Sequence, residues 1–177
     1  DDGYIGASKQ SIDDVKWNKV DAILLPVSGM NNEGEIETIF SNEKVTLTPE
    51  MFRQTPQHCT IFSGITNDTL NQYVKKAKRR LVKLMDRDDI AIYNSIPTAE
   101  GTIMMAIQHT DITIHSACVA VIGLGRVGMS VARTFDALGA NVKVGANESH
   151  QLARITEMGL TPFHTDHLKE ELADVDI

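Results

Sequence analysis

Cys118-Val119-Ala120-Val121-Ile122-Gly123-Leu124-Gly125-Arg126-Val127-Gly128 is the stretch that decides the fold. Five apolar residues run without a break into a G-x-G-x-x-G motif. A continuous apolar run of that length reads as a strand covered on both faces. From Arg126 to Leu138, apolar residues Val127, Val131, Ala132, Phe135 and Leu138 recur at helical spacing, and Gly139 stands where a helix C-terminus takes glycine. Val142-Lys143-Val144 supplies the next strand. The glycine motif alone is weak evidence. Between a buried strand and an amphipathic helix, inside a βαβ unit of the right length, it specifies a dinucleotide-binding turn. Gly123 permits the tight turn, Gly125 lets a pyrophosphate approach the backbone, and Gly128 lets the helix pack closely on the strand. Leu124, Arg126 and Val127 complete the loop over the helix N-terminus, whose N–H groups and dipole attract an anion.

The end of the second strand reads the cofactor. An NAD-specific unit carries Asp or Glu there. Here the sequence is Val144-Gly145-Ala146-Asn147-Glu148-Ser149. Small residues replace the acid and polar Asn147 and Ser149 follow, which leaves room for a 2′-phosphate. NADP is therefore the expected cofactor. NAD stays open, because Glu148 could act as a displaced ribose acid and no arginine nearer than Arg154 follows.

Upstream, strands and helices alternate. Asp21–Val27 and Cys59–Phe62 read as parallel strands ending in Ser28-Gly29 and Ser63-Gly64. Thr66-Asn67-Asp68 opens a helix carrying Leu70, Tyr73, Val74 and Ala77, and Leu81–Met85 is a third strand. Pro97-Thr98-Ala99-Glu100 reads as the first turn of a longer helix, with Ile103, Met104, Ile107 and Ile114 along its apolar side. The expected architecture is α/β, with two doubly wound parallel-sheet domains. Residues 1–96 form a flavodoxin-like substrate domain, 97–116 an interdomain helix lining the cleft, and 117–177 the first half of an NAD(P)-binding Rossmann domain. Asp1-Asp2-Gly3 and Asp174-Val175-Asp176-Ile177, the latter resembling an interrupted strand, make both domains look truncated.

Composition narrows the classes. A formal net charge of -7 argues against general nucleic-acid affinity. No apolar run approaches the roughly 18 residues of a membrane span, and no signal peptide is evident. Cys59 and Cys118 read as buried reduced thiols of a cytosolic protein. The basic run Lys75, Lys76, Lys78, Arg79, Arg80 and Lys83 reads as a solvated face or a partner contact. His164-Thr165-Asp166-His167 lacks further ligands at metal spacing, so no metal is expected. His109 and His115 read equally as helix-terminal or cleft residues.

Asn94–Asp111, with its Asn-Ser-Ile-Pro-Thr-Ala-Glu-Gly core, resembles the interdomain segment of the dipicolinate synthase A-chain family. Gly123–Arg126, Leu152–Asp166, Leu25–Gly29 and Phe62–Ile65 are similar to it as well. The resemblance covers essentially the whole chain. It implies oxidation of dihydrodipicolinate to dipicolinate with NAD(P) in the mother-cell cytosol of sporulating bacteria, beside the B subunit of dipicolinate synthase. The family carries arginine at the position of Asn147, so this chain departs from the pattern at the expected 2′-phosphate contact. A dicarboxylate substrate needs local donors and a proton acceptor. Ser28, Gly29, Ser63 and Gly64 at strand ends, with Asn94 and Thr98, are the candidate substrate contacts. Glu100 is the candidate base; as a first-turn helix acid it has an equal structural reading. Two other readings stay open: a relative of 2-hydroxyacid dehydrogenases, and a nucleotide-binding regulatory protein without chemistry. Homo-oligomerisation is undecided by sequence.

Overall fold

The computed structural model describes residues 5–38 and 44–177. Asp1–Gly3, and the middle of the segment before Thr48 that reads as helical or irregular, lie outside the described residues. The chain divides into two compact units, Asp1–Arg87 and Asp88–Ile177.

In the first unit, β1 (Ala22–Leu24), β4 (Thr60–Ser63) and β5 (Arg80–Lys83) form a parallel sheet in the order β1-β4-β5. The short β2 (Glu35–Ile36) and β3 (Val45–Thr46) make an antiparallel pair between them in sequence. Helices α1 (Pro49–Gln54) and α2 (Asp68–Lys76) complete the unit. Leu25, Met30, Leu47, Phe52, Ile61, Leu70 and Val74 form its core, with the Phe52 ring set edge-on to Tyr73 at 6.2 Å. The first strand differs from the sequence expectation. It stands at the sheet edge, and Leu24 is 74% exposed. The apolar run marks a strand correctly but does not guarantee cover on both faces.

Asn67 caps α2, its side-chain oxygen accepting from the Leu70 N–H at 2.9 Å. Its amide nitrogen donates to the Met30 carbonyl at 2.7 Å, so the cap also fastens the loop after β1. Within the basic run, Arg79 is set apart from its neighbours. Its guanidinium donates to the Thr55 hydroxyl at 3.0 Å, the Ala77 carbonyl at 2.5 Å, the Arg53 carbonyl at 3.1 Å and the Thr55 carbonyl. This one side chain closes the C-terminal ends of α1 and α2. Arg79→Ala should lower the stability of the first unit by about 2–3 kcal/mol, since hydrogen bonds from a charged donor are lost and carbonyls are left unpaired. Urea unfolding followed by Trp17 fluorescence checks this.

The second unit begins with α3 (Asp88–His109). The expected helix start at Pro97 is corrected: Pro97 lies inside α3. A mid-helix proline deprives a carbonyl one turn back of its partner. On either side of Pro97 hydroxyls bond to carbonyls of the preceding turn, Ser95 to Ile92 at 2.6 Å and Thr98 to Asn94 at 2.8 Å. The inward face is only in part the expected one: Ile103 packs on the core and Ile114 beyond the helix is buried. Ala91, Ser95, Ala99 and Ala106 are buried, whereas Met104 and Ile107 are exposed. Small residues allow α3 to approach α4 (Arg126–Ala137) closely, and fully buried Ser95 meets Ser130 with 2.7 Å between hydroxyls.

Strands β6 (Cys118–Ile122), β7 (Asn141–Ala146) and β8 (Thr161–His164) are parallel in that order, with α4 and α5 (Ser149–Glu157) as the crossovers. The core is built from Val119, Val121, Val131, Ala132, Phe135, Val142, Val144 and Ile155. Beyond a short α6 (Leu168–Glu171), Ile177 begins pairing along the outer edge of β6. Its N–H donates to the Cys118 carbonyl at 3.3 Å, and its carbonyl accepts from the Ala120 N–H at 2.9 Å. Lys143 fixes this return, with Nζ 3.0 Å from the Asp174 carboxylate and 3.5 Å from that of Glu171. The hydrogen bond between Lys143 and Asp174 raises the Lys143 pKa and lowers that of Asp174. His115 lies against Gly139 just past α4, where its ring would contact any added Cβ. His109 Nδ1 lies 2.9 Å from the Met105 carbonyl in the last turn of α3. His109 thus has a helix-end partner, and His115 Nδ1 lies 3.0 Å from the adjacent Ser116 hydroxyl.

Candidate functional site

Gly123 leaves β6 at φ +96°, a conformation L side chains rarely adopt. Its N–H donates to the Gly145 carbonyl at 2.8 Å, which sets the loop beside the end of β7. A Cβ on Gly128 would collide with the Gly123 carbonyl oxygen. That glycine is demanded by helix-on-strand packing. Gly125 is different. It is the N-cap of α4 in extended backbone (φ -81°, ψ -171°), and an added Cβ would meet nothing within 4 Å. Nothing among the described residues packs where a side chain at this position would stand. Arg126, the first residue of α4, puts a cation at the positive end of the helix, which is unfavourable without an anion. Asp88, in the first turn of α3, answers it at 3.2 Å.

At the end of β7, Gly145 has the Phe163 ring 2.6 Å from where its Cβ would be, so a larger residue requires the ring to move. Ala146 is buried, and Asn147, Glu148 and Ser149 are exposed. Asn147 is held from the end of β8 and the turn after it: its side-chain oxygen accepts from the Thr165 hydroxyl, and its backbone carbonyl lies 3.2 Å from His164 Nε2. Sequence reasoning missed Thr165 and His164 here, because only strand pairing brings residues 18 and 17 positions apart together. Arg154 points elsewhere, bonding Glu157 one turn on at 2.8 Å.

In the first unit, Ser28-Gly29 and Ser63-Gly64 do come together, at the carboxyl end of the sheet. The Ile65 N–H donates to the Val27 carbonyl at 2.7 Å. Gly29, at φ +72°, would put a Cβ 2.5 Å from the Ile65 carbonyl, and Gly64 would put one 2.5 Å from that of Val27. Two turns this close leave no room for side chains. Their glycines are explained by packing, and the Gly29 N–H is taken by the Pro26 carbonyl at 2.8 Å. Ser63 is corrected as a substrate donor: it is fully buried and its hydroxyl donates to the Ile65 carbonyl at 2.5 Å. Ser28 is exposed. It lines two adjoining cavities of about 270 and 400 Å³, and Glu37 lines both with it. Glu37 has no hydrogen-bond or ion-pair partner among the described residues. Its neighbour Glu35 is engaged by Lys44 at 2.8 Å and Asn31 at 3.2 Å, which hold its carboxyl below the usual carboxylate range, Lys44 the more strongly. No sequence signal marked Glu37; the β2–β3 pair carries it to the sheet end.

Asn94, Thr98 and Glu100 are exposed on α3, in the second unit. Asn94 and Thr98 share a face one turn apart, and the Thr98 hydroxyl is committed to the Asn94 carbonyl. Glu100 projects from a different face of the helix, two residues on. It sits mid-helix, so the first-turn explanation for an acid there falls away. Among the described residues no His, Cys, Asp and Glu group of three or more could hold a metal ion. Among them, too, no helix is long and apolar enough to cross a membrane.

The chain has counterparts among known proteins. Residues 1–85 match the family model of the N-terminal domain of the dipicolinate synthase A subunit. Over all 177 residues the chain is 62% identical to the dipicolinate synthase A subunit of Bacillus subtilis (strain 168), covering 60% of that protein. The chain belongs to the dipicolinate synthase A-subunit family. A crystal structure of the A subunit from Bacillus halodurans agrees over 99% of this chain and 60% of that one, with 68% identity and a TM-score of 0.89. The chain thus spans about 60% of the length of these A-subunit relatives. A transhydrogenase from Sinorhizobium meliloti, 12% identical, superposes over 90% of this chain and 49% of its own, with a TM-score of 0.64. At that identity the likeness concerns the fold alone. It agrees with the Rossmann-like arrangement of the A-subunit β6–β8 sheet.

Proposed function

We propose that this chain is the part of a dipicolinate synthase A subunit that holds NAD(P) and begins the substrate site, in an enzyme oxidising dihydrodipicolinate to dipicolinate. The observation that carries the reading is Gly125, a glycine that the protein's own packing does not need, at the N-terminus of a 12-residue helix. Backbone N–H groups of Gly125, Arg126 and Val127 would hold the pyrophosphate. Asn147 and Ser149 would meet the adenosine ribose, with NADP favoured because no acid stands directly at the end of β7. When bound, the nicotinamide supplies the hydride acceptor.

The chain's own residues have the remaining tasks. Ser28 offers a hydroxyl to one substrate carboxylate at the end of the first sheet. The reaction releases a proton as well as a hydride, so a carboxylate base is needed. Glu100 and Glu37 are the candidates. Glu37 shares its cavities with Ser28 and is not neutralised by a partner, and we give it the stronger claim. The relatives' designation as A chains supports a B subunit as partner, and a soluble mother-cell setting follows from the same reading.

The test is cofactor reduction at 340 nm by the full-length protein, with and without the B subunit. It is given freshly generated dihydrodipicolinate and NADP or NAD. A rise that depends on substrate, faster with NADP, is expected. Cofactor binding without any rise would instead identify a regulatory nucleotide-binding protein.

A further inference from the structure

On the reading of the glycine loop as a dinucleotide site, Asn147 stands at the adenosine ribose. An asparagine side chain offers an acceptor at one end and two donors at the other. A 2′-phosphate presents only acceptors to a protein at neutral pH, whereas a free 2′-hydroxyl is best read by a carboxylate that accepts from it. Which end of Asn147 faces the ribose therefore matters.

Two contacts, one from the last residue of β8 and one from the residue after it, fix the orientation of this residue. The Thr165 hydroxyl donates to the Asn147 side-chain oxygen. The His164 ring lies 3.2 Å from the Asn147 backbone carbonyl through Nε2, while its Nδ1 accepts the Asp166 N–H at 3.3 Å. The same Nδ1 also lies 3.3 Å from the Asp166 carboxylate; a backbone carbonyl only accepts, so in the contact with Asn147 the donor is Nε2. Asn147 is thus held by its main chain and by its amide oxygen. Among the described residues the amide nitrogen has no partner. Beside it, Glu148 is an exposed acceptor with no side-chain capping bond to α5, and Ser149 is the first residue of that helix.

We propose that Thr165 and His164 are positioning residues that make Asn147 a hydrogen-bond donor toward the adenosine ribose, and that this clamp selects the 2′-phosphorylated dinucleotide. Glu148 is the opposing influence. Loosening the clamp removes the donor and leaves the carboxylate to accept from a free 2′-hydroxyl.

The experiment is equilibrium titration of the full-length protein with ADP-ribose and 2′-phospho-ADP-ribose, which need no turnover. Wild type is expected to bind the phosphorylated probe more tightly. In Thr165→Val the preference should fall about tenfold, the scale of one hydrogen bond to a charged group, and Thr165→Ser should restore it. His164→Asn, which keeps an amide donor, should retain more of the preference than His164→Leu. Asn147→Asp should invert it, and this variant stands in if Thr165→Val does not fold. Equal binding of both probes by wild type overturns the proposal, as does an unchanged ratio in folded Thr165→Val or in Asn147→Asp. Failure of wild type to bind either probe would overturn the dinucleotide reading itself, a result separate from a ratio that does not move.

Discussion

Gly125→Ala should leave the protein folded and weaken dinucleotide binding on the order of 100-fold, whereas Gly128→Ala should damage the fold itself. The two positions are three residues apart in one motif, and the difference is geometric. A Cβ on Gly128 meets the Gly123 carbonyl oxygen at a distance no real side chain tolerates. Backbone must move, and α4 must lift from β6. A loss of about 3 kcal/mol or more is expected, at the upper end for overpacking because the obstacle is main chain. At Gly125 the added methyl meets nothing within 4 Å, and its φ of -81° suits any residue. The methyl then stands only in the way of a ligand that must touch backbone. Thermal unfolding together with titration of the reduced cofactor separates the two effects. A Gly125→Ala protein that binds cofactor as wild type does would remove the main support for the dinucleotide site.

Glu37→Gln is expected to reduce kcat of the full-length enzyme by 10²- to 10⁴-fold, the usual scale of general-base catalysis, with Glu100→Gln changing it by less than about threefold. The expectation follows from environment. Glu37 and Ser28 line the same two cavities at the end of the first sheet, and the adjoining Glu35 is already spent on Lys44 and Asn31. Glu100 stands on the exposed side of α3. The pH profile supplies the control. Removal of the base should abolish the acidic limb of kcat, whereas a lost packing contact would scale the whole profile. The reverse pattern, with Glu100→Gln inactive and Glu37→Gln near normal, would return the role to the helix.

Local signals made much of the second unit legible. The strand Cys118–Ile122, the glycine turn and the helix from Arg126 all sit where sequence places them, because a buried strand, a glycine turn and a helical apolar period are each written in adjacent residues. The Asn67 cap was legible for the same reason. Helix α3 starts well before its proline, and of the apolar residues at helical spacing Ile103 packs on the core while Met104 and Ile107 are exposed. Proline is a strong local signal for a helix start, and here the packing of small residues on α4 carries the helix through it. Its large apolar residues looked like core because size and hydropathy usually go together with burial, whereas a close helix pair selects for smallness.

The strand-end sites divide in the same way. Sequence by itself determined the alternation of elements, the family likeness, the glycine loop and the absence of an acid directly after β7. Those features depend on neighbours along the chain. Only tertiary structure decided that Ser63 is consumed by the Ile65 carbonyl, that Gly29 and Gly64 answer to each other's turns, and that Glu37 joins Ser28. It alone fastened Asn147 to Thr165 and His164. Parallel strands place side by side residues that are far apart in sequence, through crossovers of a dozen or more residues. What a hydroxyl, an amide or a carboxylate can do then depends on which of those neighbours has already taken its hydrogen bonds.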